Sequence, residues 1–124
     1  MNKSIFTENA PSPIGPYSQA ILAGGALYCS GQIAIDPKTG EFCPGDVADE
    51  TRRVCENLGA VLRSVDMTYE NVVKTTCFIT SMDNFARFNE VYGEYFTCSP
   101  ARSCVAVKEL PKGALVEIEA VAAV

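Results

Sequence analysis

Apolar residues recur with two different periods along the chain, and the alternation between them sets the expected architecture. Val47, Val54, Cys55, Leu58, Val61, Leu62 and Val65 return at three- and four-residue spacing behind Asp46, a residue suited to cap a first turn, and predict an amphipathic helix. Phe85, Phe88, Val91, Tyr92 and Tyr95 form a second stripe with a cap near Ser81. Elsewhere the period shortens. The stretch "AILAGGALYCSGQIAI" holds two apolar runs around Gly24-Gly25 and predicts a hairpin, while "NVVKTTCFIT" is dense in β-branched residues and predicts a strand. Two further strand-like runs, Arg102 to Val107 and Leu115 to Val124, flank the turn signal Leu110-Pro111-Lys112-Gly113 and are expected to neighbour each other in the sheet. The N-terminal "ENAPSPIGPYSQA" is expected to be an ordered, proline-punctuated loop, since Ile14 and Tyr17 favour burial. The order strand, strand, helix, strand, helix, strand, strand predicts one α/β (α+β) domain over residues 1–124. Two helices of these lengths cover one face of a mixed sheet of about four to six strands.

Period-two alternation then assigns faces. In the last strand Val116, Ile118, Ala120 and Ala122 make the smoother apolar row and are expected to meet the helices, which leaves Leu115, Glu117, Glu119, Val121 and Ala123 facing away. Either Lys74, Thr76 and Phe78, or Val73, Thr75, Cys77 and Ile79, must face away as well. A half-apolar, uncovered sheet face exceeds what a monomer usually exposes, and predicts a closed homo-oligomer packed sheet to sheet. Arg102, Cys104 and Ala106 share one face of their strand, and Arg102 and Glu117 are expected on the face that becomes the interface. Charges placed there cost about several kcal/mol each unless they are paired or used. They either pair with each other or with Lys74, or they bind a ligand.

Composition narrows the chemistry. A net charge of −5 and a pI near 4.6 argue against a nucleic-acid surface, which needs a clustered basic face, although one buried arginine can still hold a small anion. No apolar run approaches the ~20 residues of a membrane span, and "MNKSIFTENAPSP" lacks the apolar stretch of a secretory signal, so a cytoplasmic location is expected. Of the six cysteines none falls in a C-x-x-C pair, and there is no histidine. Metal ligation and disulfides are therefore not expected, and Cys29, Cys55 and Cys77 read as buried thiols among apolar residues. Histidine-based acid–base chemistry is excluded outright.

The segments "ENAPSPIGPYSQA", "SGQIAIDPKTGE", "NVVKTTCFITSMDNFARFNEVYGEYF", "PARSCVAV" and "LPKGALVEIEAVA" together resemble the RidA/YjgF family of reactive intermediate deaminases along essentially the whole chain. The resemblance implies a chorismate mutase-like trimeric fold, a homotrimer with active sites between subunits, and no cofactor. It implies hydrolysis of 2-iminoalkanoates and their enamines, such as 2-iminobutanoate and 2-iminopropanoate, to 2-oxo acids and ammonium. Pyridoxal-phosphate enzymes release these substrates, so a functional link to them follows. Carried over position by position, Arg102 resembles the carboxylate-holding arginine and Glu117 the acidic residue that holds the attacking water. Cys104 matches a position whose backbone carbonyl contacts the imine nitrogen or the water. Tyr17 matches an aromatic pocket wall, Ser30, Gly31 and Gln32 a segment whose backbone approaches the ligand, and Asn89 a helix residue near the cleft. The Thr97-Cys98-Ser99 loop is shorter than in many relatives. Two rival readings are a 2-oxo acid-binding regulatory module without turnover and a ribonuclease or translation inhibitor.

Overall fold

Asp46 opens the first helix with a reciprocal cap: its carboxylate accepts from the Asp49 N–H at 2.9 Å, and the Asp49 carboxylate accepts from the Asp46 N–H at 3.2 Å. Two backbone donors that the helix itself leaves unpaired are satisfied this way. Helix α1 (Val47–Arg63) follows, and Val54, Cys55, Leu58, Val61 and Leu62 are wholly buried along its inner stripe. Val65 lies beyond the helix, in the turn that ends it. Ser81 also caps, but one turn earlier than the stripe implies: its hydroxyl accepts from Asp83 at the start of a 3-10 turn, Met82–Asn84, that leads into α2 (Phe85–Tyr95). The two helices lie side by side, joined at their outer edge by Arg52–Glu94 at 2.7 Å and by the Tyr95 hydroxyl donating to Glu56.

The structure, a computed structural model, describes residues 1–124. Its strands are β1 (Lys3–Ile5), β2 (Ala20–Ala23), β3 (Ala26–Gln32), β4 (Val72–Ile79), β5 (Ala101–Ala106) and β6 (Val116–Ala123), in one six-stranded mixed sheet of order β1-β2-β3-β6-β4-β5. The helices cover one face, onto which Val116, Ile118, Ala120 and Ala122 of β6 are buried as expected. Strand β1 was not expected; three residues of mixed character, Lys3-Ser4-Ile5, carry no periodic signal and gain their conformation by pairing with Ala20–Leu22. No helix is long and apolar enough to cross a membrane.

One expected neighbour relation is wrong. β5 and β6 do not pair; β4 lies between them, parallel to β5 and antiparallel to β6. The cause is topological. Because α2 connects β4 to β5, the chain returns in the same direction and lays β5 outside β4, and the Pro111–Gly113 turn then carries the chain past the end of β4 into the gap beside β3. β5 becomes an edge strand.

Face assignment is corrected in two places. β4 carries a bulge between Val72 and Lys74, so Val72, Thr75, Cys77 and Ile79 are buried while Val73 is 51% exposed. Lys74, Thr76 and Phe78 are the row that faces away. Arg102 aligns with buried Thr75 and Cys104 with buried Cys77, and neighbouring strands point aligned side chains the same way. Arg102 therefore faces the helices, not the open face expected for it. The open face is nevertheless half-apolar, with Tyr28 beside Val121, and Phe78 between Glu117 and Val105.

Burial of the N-terminal loop is also only partly as expected. Gln19, 1% exposed, accepts from the Thr7 N–H and donates to the carbonyls of Thr7, Ala10 and Pro11, which fixes the loop. Ile14 and Tyr17 are held at its surface, 77% and 51% exposed.

One buried carboxylate connects the helix layer to β6. Glu50 of α1 is 2% exposed and accepts the Leu115 N–H at 2.8 Å; burial raises its pKa. Glu50→Ala strands that donor and is expected to cost about 2 kcal/mol of stability, whereas Glu50→Gln, whose amide oxygen still accepts, costs well under half as much. Urea midpoints at unchanged m-value measure both.

Candidate functional site

Where β3 meets β6 the ladder slips by one residue: Cys29 aligns with Ala120, but Gln32 aligns with Ile118. The extra residue is absorbed at Ser30-Gly31, a bulge that ends regular pairing and turns the strand. Ser30 anchors it, its N–H donating to Gln19 O at 2.9 Å and its hydroxyl to Ser18 O at 2.6 Å. At Gly31 a Cβ atom would lie 2.5 Å from Oε2 and 3.0 Å from Cδ of Glu117. Only a glycine lets the carboxylate rest against the backbone there. Burial, and after it the charge of Glu119, raise the Glu117 pKa above the ordinary carboxylate value. Glu117 makes no ion pair. It lines a cavity of about 700 Å³ together with Tyr17, Gln19, Gly31, Gln32 and Ile33.

A second cluster stands at the β5 edge of the sheet. The Arg102 guanidinium donates to Asn89 Oδ1 at 2.7 Å, and its Cζ lies 4.9 Å from the ring centre of Tyr92 and 5.6 Å from that of Phe85. Tyr92 is itself fixed by a 2.7 Å hydrogen bond with Thr75, and burial pushes its phenol up to about 12, so the ring under the cation stays neutral. The guanidinium is thus oriented by a neutral amide and two aromatic rings, with neither ion pair of the chain including it. Its unused N–H donors suit a planar anion. The alternative in which Arg102 and Glu117 pair with each other, or Glu117 with Lys74, is not what the structure shows, since neither ion pair of the chain includes them.

Cys104 sits two residues along β5, half-buried, its thiol pKa raised by burial. A raised value disfavours thiolate chemistry. Its backbone is differently placed. Val107 N–H donates to Ile79 O, so odd-numbered residues of this segment point their peptide groups at β4. The N–H and C=O of Arg102, Cys104 and Ala106 consequently point to the free edge of the sheet.

The site residues read from the sequence therefore fall into two groups. Tyr17, Gly31, Gln32 and Glu117 share the cavity, with Ser30 buttressing it, while Asn89, Arg102 and Cys104 share the β5 edge. Two strand spacings, roughly 10 Å, and a change of sheet face separate Arg102 from Glu117. Sequence reasoning missed Gln19, Phe85 and Tyr92 as builders of these groups. The Phe85–Tyr92 stripe reads as helix core, and nothing in a helical period marks two of its rings as a platform for a strand arginine.

A family model described as Endoribonuclease L-PSP matches residues 7–124. A RutC family protein of Pyrococcus horikoshii is 55% identical over 123 residues, 98% of each chain. The 2-iminobutanoate/2-iminopropanoate deaminase of Mus musculus is 44% identical over 123 residues, 98% of this chain and 91% of that one. Among solved structures, E. coli TdcF with bound serine superposes with a TM-score of 0.93 at 42% identity over 98% of both chains.

The Gly31–Glu117 contact has a measurable signature. Gly31→Ala forces the half-buried carboxylate aside and is expected to cost about 1 kcal/mol of stability or less, most of which Glu117→Ala in the same chain restores. A double-mutant cycle in urea gives the coupling, which vanishes if the two residues do not touch.

Proposed function

We propose a function from one premise: the chain belongs to the Endoribonuclease L-PSP, or YjgF/RidA, family. Within it, this chain is a hydrolytic deaminase of 2-iminoalkanoates, 2-iminobutanoate and 2-iminopropanoate above all. The observation that carries the reading is a carboxylate of raised pKa, seated on Gly31 in a cavity large enough for a small acid. The deaminase name of the mouse relative and the serine in the E. coli structure, a small molecule with one carboxylate, support it.

Because each group of site residues is incomplete, the working site is assembled between copies of a homotrimer. One copy offers Glu117, Tyr17 and the Ser30–Gln32 bulge, and its neighbour offers the β5 edge with Arg102, Asn89 and Cys104. The half-apolar open face of the sheet supplies the surface for such packing.

The chemistry follows from the parts. Arg102 grips the substrate carboxylate through two N–H donors, and the Cys104 carbonyl at the free edge accepts from the imine N–H. Glu117 holds a water and takes its proton as the oxygen bonds to C2; the C=N pair moves onto nitrogen, to which Glu117 passes that proton, giving the neutral carbinolamine. The carbinolamine then collapses: Glu117 takes the hydroxyl proton as C2=O forms and returns it to the departing nitrogen, which leaves as ammonia and takes a further proton from solvent to become ammonium. An imine is already electrophilic, so positioning is the main contribution, worth about 7 kcal/mol in favourable cases. Glu117 works in its ionised form, and its raised pKa makes it a better proton acceptor at neutral pH while shifting the acid-side loss of activity upward. The enzyme acts in the cytoplasm beside the pyridoxal-phosphate enzymes that release its substrates.

The family description itself favours a second reading, RNA cleavage. Against it stand the absence of histidine and a net charge of −5.

Arg102→Lys keeps the charge but not the fork and is expected to lower kcat/KM for 2-iminobutanoate about a hundredfold, as Arg102→Ala does. Glu117→Gln should bind 2-oxobutanoate normally yet turn over about a hundredfold more slowly. Semicarbazide trapping of imine from a coupled amino-acid oxidase reads both; wild-type rates in Arg102→Lys would remove carboxylate clamping, and an unchanged imine lifetime with wild-type protein would leave only a binding module.

A further inference from the structure

The cavity that holds Glu117 has two lysines on its lining, Lys38 and Lys112. Both are exposed, and neither takes part in the chain's two ion pairs, Arg52–Glu94 and Arg87–Glu90. Each is set by its own turn. The Lys38 N–H donates to the Asp36 carboxylate at 2.8 Å, and the Gly40 N–H to Asp36 O, which closes the turn around Lys38. Lys112 has φ 59° and ψ 20°, followed by Gly113 at φ 69°. The left-handed region suits glycine or asparagine, and Lys112, like Asp66 and Ser99, adopts it, here to close the Pro111–Gly113 turn at the cavity rim.

The chain as a whole is acidic. Its net charge is −5, Glu117 stands inside the cavity, and Glu119 follows on the same sheet face. Within the lining of the cavity itself, Lys38 and Lys112 are the cationic groups that a carboxylate entering it can meet. We infer that Lys38 and Lys112 recruit the anionic ligand: they draw its carboxylate to the cavity mouth against the acidic field of the chain and set the rate of entry. The identity of the ligand as a 2-imino or 2-oxo acid rests on the deaminase reading; its charge rests on the cavity. A cleft lined by one sign of charge raises on-rates by about 10- to 1,000-fold; with Glu117 sharing this cavity the lower end of that range applies, and salt suppresses the effect over a Debye length of about 8–10 Å.

Steady-state kinetics with 2-iminobutanoate and calorimetric titration with 2-oxobutanoate, each across a sodium chloride series, test this. The double variant Lys38→Gln/Lys112→Gln is expected to lose about tenfold in kcat/KM at low salt, with kcat lowered less than about twofold, and to show a flattened salt dependence of both kcat/KM and Kd. Glutamine keeps a long unbranched side chain at position 112, so the backbone demand is unchanged. Lys3→Gln, on β1 away from the cavity, and Lys112→Gln change net charge equally; only Lys112→Gln should move kcat/KM. Equal kcat/KM, Kd and salt slopes in wild type and the double variant overturn the inference, as does an equal effect of Lys3→Gln. Lysine-dependent binding of 2-oxobutanoate without turnover keeps recruitment and sinks the deaminase reading. Lysine-independent turnover does the reverse, and neither turnover nor lysine-dependent binding overturns both.

Discussion

A pleated sheet points successive side chains to opposite faces, and that constraint places Arg102 and Glu117 where no single small molecule can touch both within one chain. Arg102 follows the row of Thr75 toward the helices, and Glu117 follows the row of Phe78 away from them. A guanidinium with free donors and a carboxylate of raised pKa are complementary tools for acting on an imino acid, yet each stands alone. The proposed function requires that separation to be bridged, the role it gives to a neighbouring copy's β5 edge.

Both groups are held in place by the structure around them. Gln19 gathers four hydrogen bonds to fix the loop that carries Tyr17, and Ser30 ties the bulge to that loop. The bulge in turn brings Gly31 under Glu117. On the other side Thr75 fixes Tyr92, and Tyr92 with Phe85 and Asn89 fixes the guanidinium. Catalysis by positioning needs supports of this kind, because loose side chains return the entropy that binding has removed.

Much of this was legible in the sequence. The helical stripes, the Asp46 cap and the apolar row of β6 follow from side-chain spacing, and the open face follows from two helices covering only one side of the sheet. The errors share one cause. Spacing reports alternation along a strand but not which strands pair, so it sets β5 and β6, adjacent in sequence around a turn, side by side and puts Arg102 on the wrong face. The bulges in β3 and β4 have no period to betray them. Motif resemblance found Arg102, Asn89, Glu117 and Gly31 one by one, but their division into two groups is visible only once the topology is known.

Subunit complementation measures that division directly. Arg102→Ala and Glu117→Ala copies, each inactive alone, are unfolded, mixed in equal amounts and refolded together. If every site takes its arginine from one copy and its glutamate from the next, half of the first partners and half of the second are intact, and about a quarter of wild-type deaminase activity returns. If both residues serve from the same chain, the mixture stays as inactive as either variant, and the two-copy site is wrong.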